Sequence, residues 1–285
     1  MIDYNEGYEA VARQFQDQGI PVDQPGFYDH PNFVKVEQQI PTYLNNYARF
    51  VATRTYTEEY LGRAQREIPL IAGSFHRELC VDGRLGACVD ASGYLSRMLE
   101  REGFWNFMVK GSLTIDFPAR SKIPRGYFWF MDEGDFVAGH AWLHAPPFVV
   151  LDVTVRQQPY RGKQREHLPD LVLADDSEPA EGSADDIMSP ELRQYLTRRG
   201  VRPARHLVTV EPELPKFLQV FPASLVRARY TRLKYVPVAV TAPDLPLEQM
   251  RSMTFSDRTG GQVYTGVIQP MLAETRAAPA DAQGR

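Results

Sequence analysis

The spacing of the apolar residues changes at Gly103, and this change limits the folds open to the chain. Through residues 88–102 the apolar side chains recur every three or four positions, as on one face of an amphipathic helix. Beyond Gly103, proline and glycine separate four runs rich in aromatic and β-branched residues, at 104–117, 126–130, 138–145 and 148–155. Such runs are typical of strands. A helix followed by successive strands predicts an α+β fold.

The segments on either side carry weaker signals. We predict helices at 8–17, 41–54 and 55–77, with a kink or break in the third at Pro69. Residues 170–190 hold seven acids and no Lys or Arg, which predicts a solvated loop. Further expectations follow in chain order: a short helix from Arg193 to Gly200, strands within 206–241, and disorder in 273–285.

Composition narrows the class of protein. The chain has 285 residues, 43% of them apolar, which is enough for a soluble domain with a large core. The net charge of -4 gives no general attraction to nucleic acid or to an anionic membrane. The five arginines of residues 192–205 suggest nucleic-acid binding, but neutralising the acidic loop is the simpler role.

No apolar run is long enough to span a bilayer, and the first ten residues lack the basic start of a secretion signal. We expect a cytoplasmic protein.

Two cysteines, Cys80 and Cys88, are too few for a disulfide framework or a structural zinc site. Cys88 lies where the predicted helix begins, and Gly86 and Ala87 lead into it. The free N–H groups and positive dipole end of a helix N-terminus stabilise a thiolate, and the same N–H groups can hold an oxyanion. Cys88 is therefore our candidate nucleophile, with Gly86 and Ala87 lining the substrate cleft. Cys80 has no such setting and is interpreted as an incidental thiol.

A cysteine nucleophile needs a base and a group that orients the base. His140 opens one predicted strand, and Asp152 lies in the next, an apolar strand where an unpaired carboxylate is costly. If Pro146-Pro147 forms the turn between these strands, counting from it places Asp152 beside His140 or one step diagonal to it. The spacing therefore predicts a Cys88–His140–Asp152 triad.

Trp142 and His144 share the strand face of His140. We interpret Trp142 as a wall of the cleft or as core, and His144 as a residue near the cleft rim. Two histidines on one face also suggest a metal site, but no third ligand is evident. We expect no metal and no cofactor.

Three segments resemble the motifs of the transglutaminase-like family, in the family's order. They are GACVDASGYL at 86–95, GHAW at 139–142 and LDVT at 151–154, within a region of similarity spanning residues 75–156. The resemblance implies a papain-like α+β core, with the nucleophile helix packed on an antiparallel sheet. It also implies that Cys88, His140 and Asp152 are nucleophile, base and orienting acid. The flanks match nothing in the family.

The resemblance and the charge pattern together divide the chain into five predicted segments. They are a helical N-terminal extension (1–74), a transglutaminase-like catalytic core (75–165), an acidic loop (166–190), a C-terminal extension that completes the domain (191–272) and a disordered tail (273–285).

The expected activity is thiol-dependent acyl transfer through a thioester intermediate, with hydrolysis of a peptide or amide bond favoured. The substrate would be a protein, a peptide or a small amide. Protein crosslinking is less favoured because no calcium-binding loop of the D-x-D-x-D-G type is present. Transfer to an amine is a third option. A non-catalytic binding module built on the same fold is the alternative of a different class. The sequence gives no indication of the oligomeric state.

Overall fold

The computed structural model describes residues 7–132, 139–253 and 257–277. Within them the chain is an α+β protein, as the change in apolar spacing predicts. N-terminal helices accompany a curled antiparallel sheet that forms a half-barrel. No helix in the described residues is long and apolar enough to cross a membrane.

The helices are α1 (Tyr8–Asp17), α2 (Pro31–Glu37), α3 (Leu44–Thr53), α4 (Glu58–Asp82), α5 (Cys88–Arg101), α6 (Ala184–Ile187), α7 (Pro190–Arg198), α8 (His206–Val210), α9 (Leu214–Val220), α10 (Gly260–Val263) and α11 (Gln269–Ala277). The strands are β1 (Phe107–Asp116), β2 (Gly126–Phe128), β3 (His140–Ala145), β4 (Phe148–Asp152), β5 (Val172–Ala174), β6 (Glu178–Ala180), β7 (Ala223–Ala228) and β8 (Thr231–Thr241).

The sheet has the strand order β5-β4-β3-β1-β8-β7-β6, and β2 pairs with β1 beyond the end of β3. Side chains alternate between its two faces. Leu143 and Leu151 belong to the core that includes α4 and α5. Trp142 and Tyr235 belong to the core that includes the N-terminal helices. The sheet is therefore covered by helices on both faces, and β1 lies near its middle.

The long helix α4 corrects one expectation. A kink or a break was expected at Pro69. The helix instead runs through Pro69 for 25 residues, so no break occurs there. An interior proline costs about 3 kcal/mol. Ile68, Ile71 and Phe75, all buried on one side of α4, pack into the core shared with α5. This packing offsets the lost hydrogen bond.

The acidic segment corrects a second expectation. Instead of a loop, residues 170–190 contain β5, β6 and α6. Asp186 is buried and accepts from Lys234 at 2.7 Å and from Thr114 at 2.8 Å, and Asp185 pairs with Arg193. The other six of the seven acids are exposed, so the segment is solvated as its composition indicates but has secondary structure.

The C-terminal expectations were wrong in two places. Residues 206–220 form the helices α8 and α9, and strands begin only at Ala223. Leu214 and Phe217 are three positions apart and both are buried, which is helical spacing. Residues 273–277 belong to α11 instead of a disordered tail, and residues 278–285 lie outside the described part.

Gly111 allows the centre of the sheet to pack. A Cβ atom at this position would lie 2.1 Å from the Val236 carbonyl oxygen and 2.8 Å from the Trp142 ring. We expect Gly111→Ala to lower the free energy of unfolding by at least about 2 kcal/mol, because overpacking a tight core costs that much. Urea unfolding measures the change.

Gly62→Ala is the matched control, because Gly62 lies within helix α4 and a Cβ there would meet only the flexible Arg66 side chain at 3.5 Å. It should stabilise the protein by about 0.5–1 kcal/mol through helix propensity. Equal stability of the two variants would contradict the proposed role of Gly111.

Candidate active site

Cys88 is the first residue of α5, and the loop before it is held in place from outside the helix. Gly86 has a φ of 73°, in the left-handed region that favours glycine. Its N–H donates to the Gln157 carbonyl at 2.9 Å, and a Cβ on Gly86 would meet Pro159 at 3.9 Å. The nucleophile loop is therefore tied to the segment that follows Asp152.

The N-terminus of α5 has the properties that an oxyanion hole requires. Ala87 is the N-cap residue, and no side chain within the described residues caps the first turn. The first backbone bond of the helix runs from the Ala91 N–H to the Ala87 carbonyl at 2.8 Å. The Cys88 N–H therefore has no helical partner. Asp90 pairs with Arg84 at 2.8 Å instead of capping the turn.

His140 and Asp152 are in direct contact. The His140 Nε2 atom lies 2.6 Å from Asp152 Oδ2, and both side chains are fully buried. Asp152 accepts through Oδ2, so the ring donates from Nε2. The pair that the hairpin count predicts is thus in hydrogen-bond contact.

The register of the hairpin explains how the two residues meet. The turn contains a cis Pro146-Pro147 peptide bond. Leu143 pairs with Leu151, with a register irregularity between Leu143 and Ala145. Continuing that count places Asp152 across from Trp142. His140 and Asp152 are therefore diagonal neighbours, within the range that the sequence count allowed.

Asp152 is held by three further groups. Its Oδ1 accepts from the Thr154 backbone N–H at 2.8 Å and from the Thr154 hydroxyl at 3.0 Å. The Tyr235 hydroxyl donates to Oδ2 at 3.0 Å. Burial alone would raise the pKa of Asp152, but the charge of His140 and these hydrogen bonds lower it below the ordinary value. The carboxylate is therefore ionised at neutral pH.

His140 is affected by charge on both sides of its ring. Burial lowers its pKa, but the charge and hydrogen bond of Asp152, with a smaller contribution from the Cys88 thiol, raise the pKa to about 10. Nδ1, the ring nitrogen away from Asp152, has no well-aligned hydrogen bond within the described residues. The Cys88 thiol lies near enough to raise the pKa of His140, but it makes no well-aligned hydrogen bond with Nδ1. The imidazole is held as a cation, and Nδ1 is available to the thiol.

Trp142 lies in the core, one of the two places expected for it, whereas His144 is a packed residue and does not lie at a cleft rim. Trp142 is buried, with its ring centroid 6.2 Å from that of His140 and 5.1 Å from that of Tyr235. His144 stacks on Phe107 at 4.8 Å, and burial lowers its pKa to about 4. Both residues line a cavity of about 200 Å³ next to the triad. His144 is therefore a neutral wall residue, four positions along the strand from His140.

Cys80 has partners that the sequence did not suggest. Its sulfur lies 3.3 Å from His76 Nε2 and 3.2 Å from Gln157 Nε2. The His76 Nδ1 atom meets the Val153 carbonyl at 2.9 Å, so Nδ1 donates and Nε2 accepts from the thiol. Burial and the charge of Asp170 raise the pKa of Cys80. This thiol is therefore kept protonated, unlike a nucleophile.

Three aromatic residues around the triad were missed by sequence reasoning: Tyr235, Tyr160 and Phe128. The Phe128 ring lies 6.0 Å from His140 and 5.6 Å from Tyr160. Burial raises the pKa of Tyr160 well above its usual value, and the charges of Asp152 and Cys88 add to this effect. No spacing rule links these positions to the triad, because the curled sheet and the loop after Asp152 bring them together.

A second oxyanion donor could be a side-chain amide, and the sequence offers four without choosing among them: Gln38, Gln39, Asn45 and Asn46. The described contacts place none of them at Cys88: Asn46 bonds Gln14 at 3.5 Å, and Asn45 lines a different cavity. No group of three or more His, Cys, Asp or Glu side chains in the described ranges is arranged to hold a metal ion.

Comparison with known proteins adds no relative. No protein-family model matches the chain, and neither a search of curated proteins nor a search of solved structures finds a similar one. The transglutaminase-like resemblance therefore depends on its three motifs. Function has to be argued from the site itself.

The two thiols should differ in their rate of alkylation by iodoacetamide at pH 7. In Cys80→Ala, the remaining Cys88 should react faster at this pH than Cys80 does in Cys88→Ala, because the imidazolium of His140 lies beside the Cys88 thiol. In Cys88→Ala, reaction of Cys80 should rise steadily above pH 8.5, because the pKa of Cys80 is raised. Mass spectrometry of quenched samples gives both rates.

Adding Asp152→Asn to the Cys80→Ala variant is the control. Removing the carboxylate lets the pKa of His140 fall, so alkylation of Cys88 at pH 7 should slow toward the rate of Cys80. Equal rates for Cys88 and Cys80 with Asp152 in place would contradict the arrangement.

The bond from Tyr235 to Asp152 should be visible in acid unfolding. A carboxyl whose pKa is lowered in the folded state stabilises the fold above the unfolded value of about 3.9, and this stability is lost as the pH falls through the folded value. Tyr235→Phe removes one hydrogen bond to the carboxylate, so the pKa of Asp152 should rise. We expect the acid-unfolding midpoint, measured by circular dichroism, to move to higher pH.

Tyr230→Phe is the matched control, because the Tyr230 side chain is 72% exposed and remote from Asp152. It should unfold at the wild-type pH. The same midpoint in both variants would show that the Tyr235 hydroxyl does not support the carboxylate.

Proposed function

We propose that the protein is a thiol-dependent acyl-transfer enzyme that hydrolyses a peptide or amide bond. The observation that supports this most strongly is the buried 2.6 Å contact between His140 and Asp152, with the free side of the imidazole toward the Cys88 thiol. A nucleophile at a helix N-terminus, a base and an orienting carboxylate are the components of covalent acyl transfer.

The residues have defined roles in the first half of the reaction. The Cys88 thiolate attacks the carbonyl carbon, a C–S bond forms, and the carbonyl electron pair moves to oxygen. The Cys88 N–H at the uncapped start of α5 is placed to hold this oxyanion. When the tetrahedral intermediate collapses, the C–N bond breaks and His140 gives its Nδ1 proton to the departing amine. An acyl-thioester on Cys88 and a free amine result.

The second half regenerates the thiolate. Neutral His140 takes a proton from water at Nδ1, and the oxygen attacks the thioester carbonyl. The C–S bond breaks, the carboxylic acid leaves, and the thiolate and imidazolium are restored. Asp152 stays ionised throughout, because its lowered pKa and its bonds to Thr154 and Tyr235 disfavour protonation.

The arrangement of elements supports a transglutaminase-like core as the fold that carries this chemistry. The nucleophile helix α5 packs against β3 and β1. The base and the acid come from the β3–β4 hairpin of an antiparallel sheet. These are the relations that the three motifs imply. Crosslinking and transfer to an amine use the same intermediate and differ only in the acceptor that resolves it.

A binding module built on the same fold is supported less well. Such a module would tolerate a separation of Asp152 from His140, whereas the two are in hydrogen-bond contact. Breaking a buried charged pair by losing one partner costs about 3–5 kcal/mol, so the pair could also persist for stability alone. An activity measurement therefore has to separate the two functions.

A test that needs no natural substrate uses p-nitrophenyl acetate. We expect a burst of p-nitrophenolate equal to the amount of protein, with one acetyl group on Cys88 that hydroxylamine removes. Cys88→Ala should abolish the burst, and His140→Ala should slow it by about 100-fold or more, because positioned acid–base catalysis contributes at least that much. Stopped-flow absorbance and peptide mass spectrometry give these results.

Cys80→Ala is the matched control, since it removes the other thiol and should keep the burst. Acetylation of Cys88 that is unchanged by His140→Ala would indicate an incidental nucleophile and contradict the proposal. Circular dichroism of each variant separates loss of activity from loss of fold.

A further inference from the structure

A second pocket lies at the turn between β7 and β8 and has no role in the proposed thiol chemistry. Its volume is about 460 Å³. On strand β1, Gly111 pairs with His140 of β3. Asp116, at the other end of β1, pairs with Arg232 of β8. Five residues along a strand span about 17 Å. The pocket is therefore remote from the triad. Its lining consists of Pro118, Ala119, Arg120, Arg227, Arg229, Tyr230, Thr231 and Arg232.

The protein balances only part of the positive charge of this pocket. Of its four arginines, Arg227 is paired with Glu178 through two contacts, at 2.6 and 3.1 Å. Glu178 also lies close enough to Arg232 for the charge of that arginine to lower the pKa of the carboxyl. Asp116, the neighbour of Arg232 in the sheet, bonds Arg125 instead. Within the described residues, Glu178 is thus the carboxylate that these four arginines share, in a chain of net charge -4.

The turn brings the arginines close together. Arg227 and Arg232 are direct cross-strand partners, and Glu178 is the carboxylate that offsets the repulsion between them. Arg229 follows Ala228, which pairs with Thr231, so Arg229 lies in a two-residue turn. Its φ is 57°, where glycine is the favoured residue. Conformational strain of this kind concentrates at functional sites.

The pocket also presents an aromatic ring. Tyr230 is 72% exposed, and the Arg120 guanidinium lies 4.7 Å from its ring centroid. This cation–π contact holds Arg120 above the pocket without neutralising its charge. Arginines from two separate parts of the chain, position 120 and residues 227–232, therefore line the same pocket.

We propose that this pocket binds the phosphate group of a small ligand. Guanidinium groups bind phosphate oxygens through paired hydrogen bonds, and a phosphate dianion matches several arginines better than a single carboxylate does. The bound anion would neutralise the arginines that Glu178 leaves unpaired, Arg120 and Arg229. Free phosphate and a nucleotide share this chemistry, and the exposed Tyr230 ring is available to stack with a base.

The test is isothermal titration calorimetry of the full-length protein with inorganic phosphate, AMP and adenosine. We expect phosphate and AMP to bind and adenosine not to bind, with weaker binding at high NaCl. AMP binding tighter than phosphate would assign the site to a nucleotide, and equal binding would assign it to free phosphate. Absence of binding by both phosphate and AMP would overturn the proposal.

Arg229→Gly separates binding from folding. It should weaken phosphate binding by about tenfold or more, since a charged hydrogen bond is lost. Glycine suits the left-handed turn, so the thermal midpoint should not fall. Arg13→Ala removes an exposed arginine outside this pocket and should leave binding unchanged. Wild-type phosphate affinity in both Arg229→Gly and Arg120→Ala would place the anion elsewhere and overturn the proposal.

Discussion

The contact between His140 and Asp152 is the interaction on which the candidate site depends. Neither side chain reaches solvent, so each charge is stable only because the other is present. The carboxylate raises the pKa of the imidazole, and the imidazolium lowers that of the carboxylate. Thr154 and Tyr235 complete the hydrogen bonding of Asp152. The pair supplies a base of fixed orientation beside Cys88, and this makes acyl transfer the best-supported activity.

Local sequence predicts this part of the site well, for a physical reason. Cys88 is marked by a helix start, and His140 and Asp152 are joined by a short hairpin whose geometry depends on residue spacing. The count left two positions open, beside and diagonal, and the register of the hairpin selects the diagonal one. The contact between Tyr235 and Asp152 cannot be predicted from local spacing. Tyr235 lies on β8, which β3 and β1 separate from β4, and it is 83 residues beyond Asp152.

The regions that were predicted wrongly share a cause: distant contacts outweigh local preference. The carboxylates of residues 170–190 indicated a solvated loop, yet Lys234 on β8 holds Asp186 in place. Strands were predicted within 206–241, but α8 and α9 form at 206–220 because Leu214 and Phe217 reach the core together. Pro69 suggested a break, and the core packing of α4 prevents it. None of these partners is visible within a local window.

The position of Tyr235 has a consequence for biosynthesis. When the ribosome has released the chain as far as Asp152, all three triad residues have emerged, but β8 has not been made. Until then β1 lacks the partner on one of its edges, and Asp152 lacks the Tyr235 hydroxyl. Assembly of the supported triad therefore has to wait for the C-terminal half of the chain.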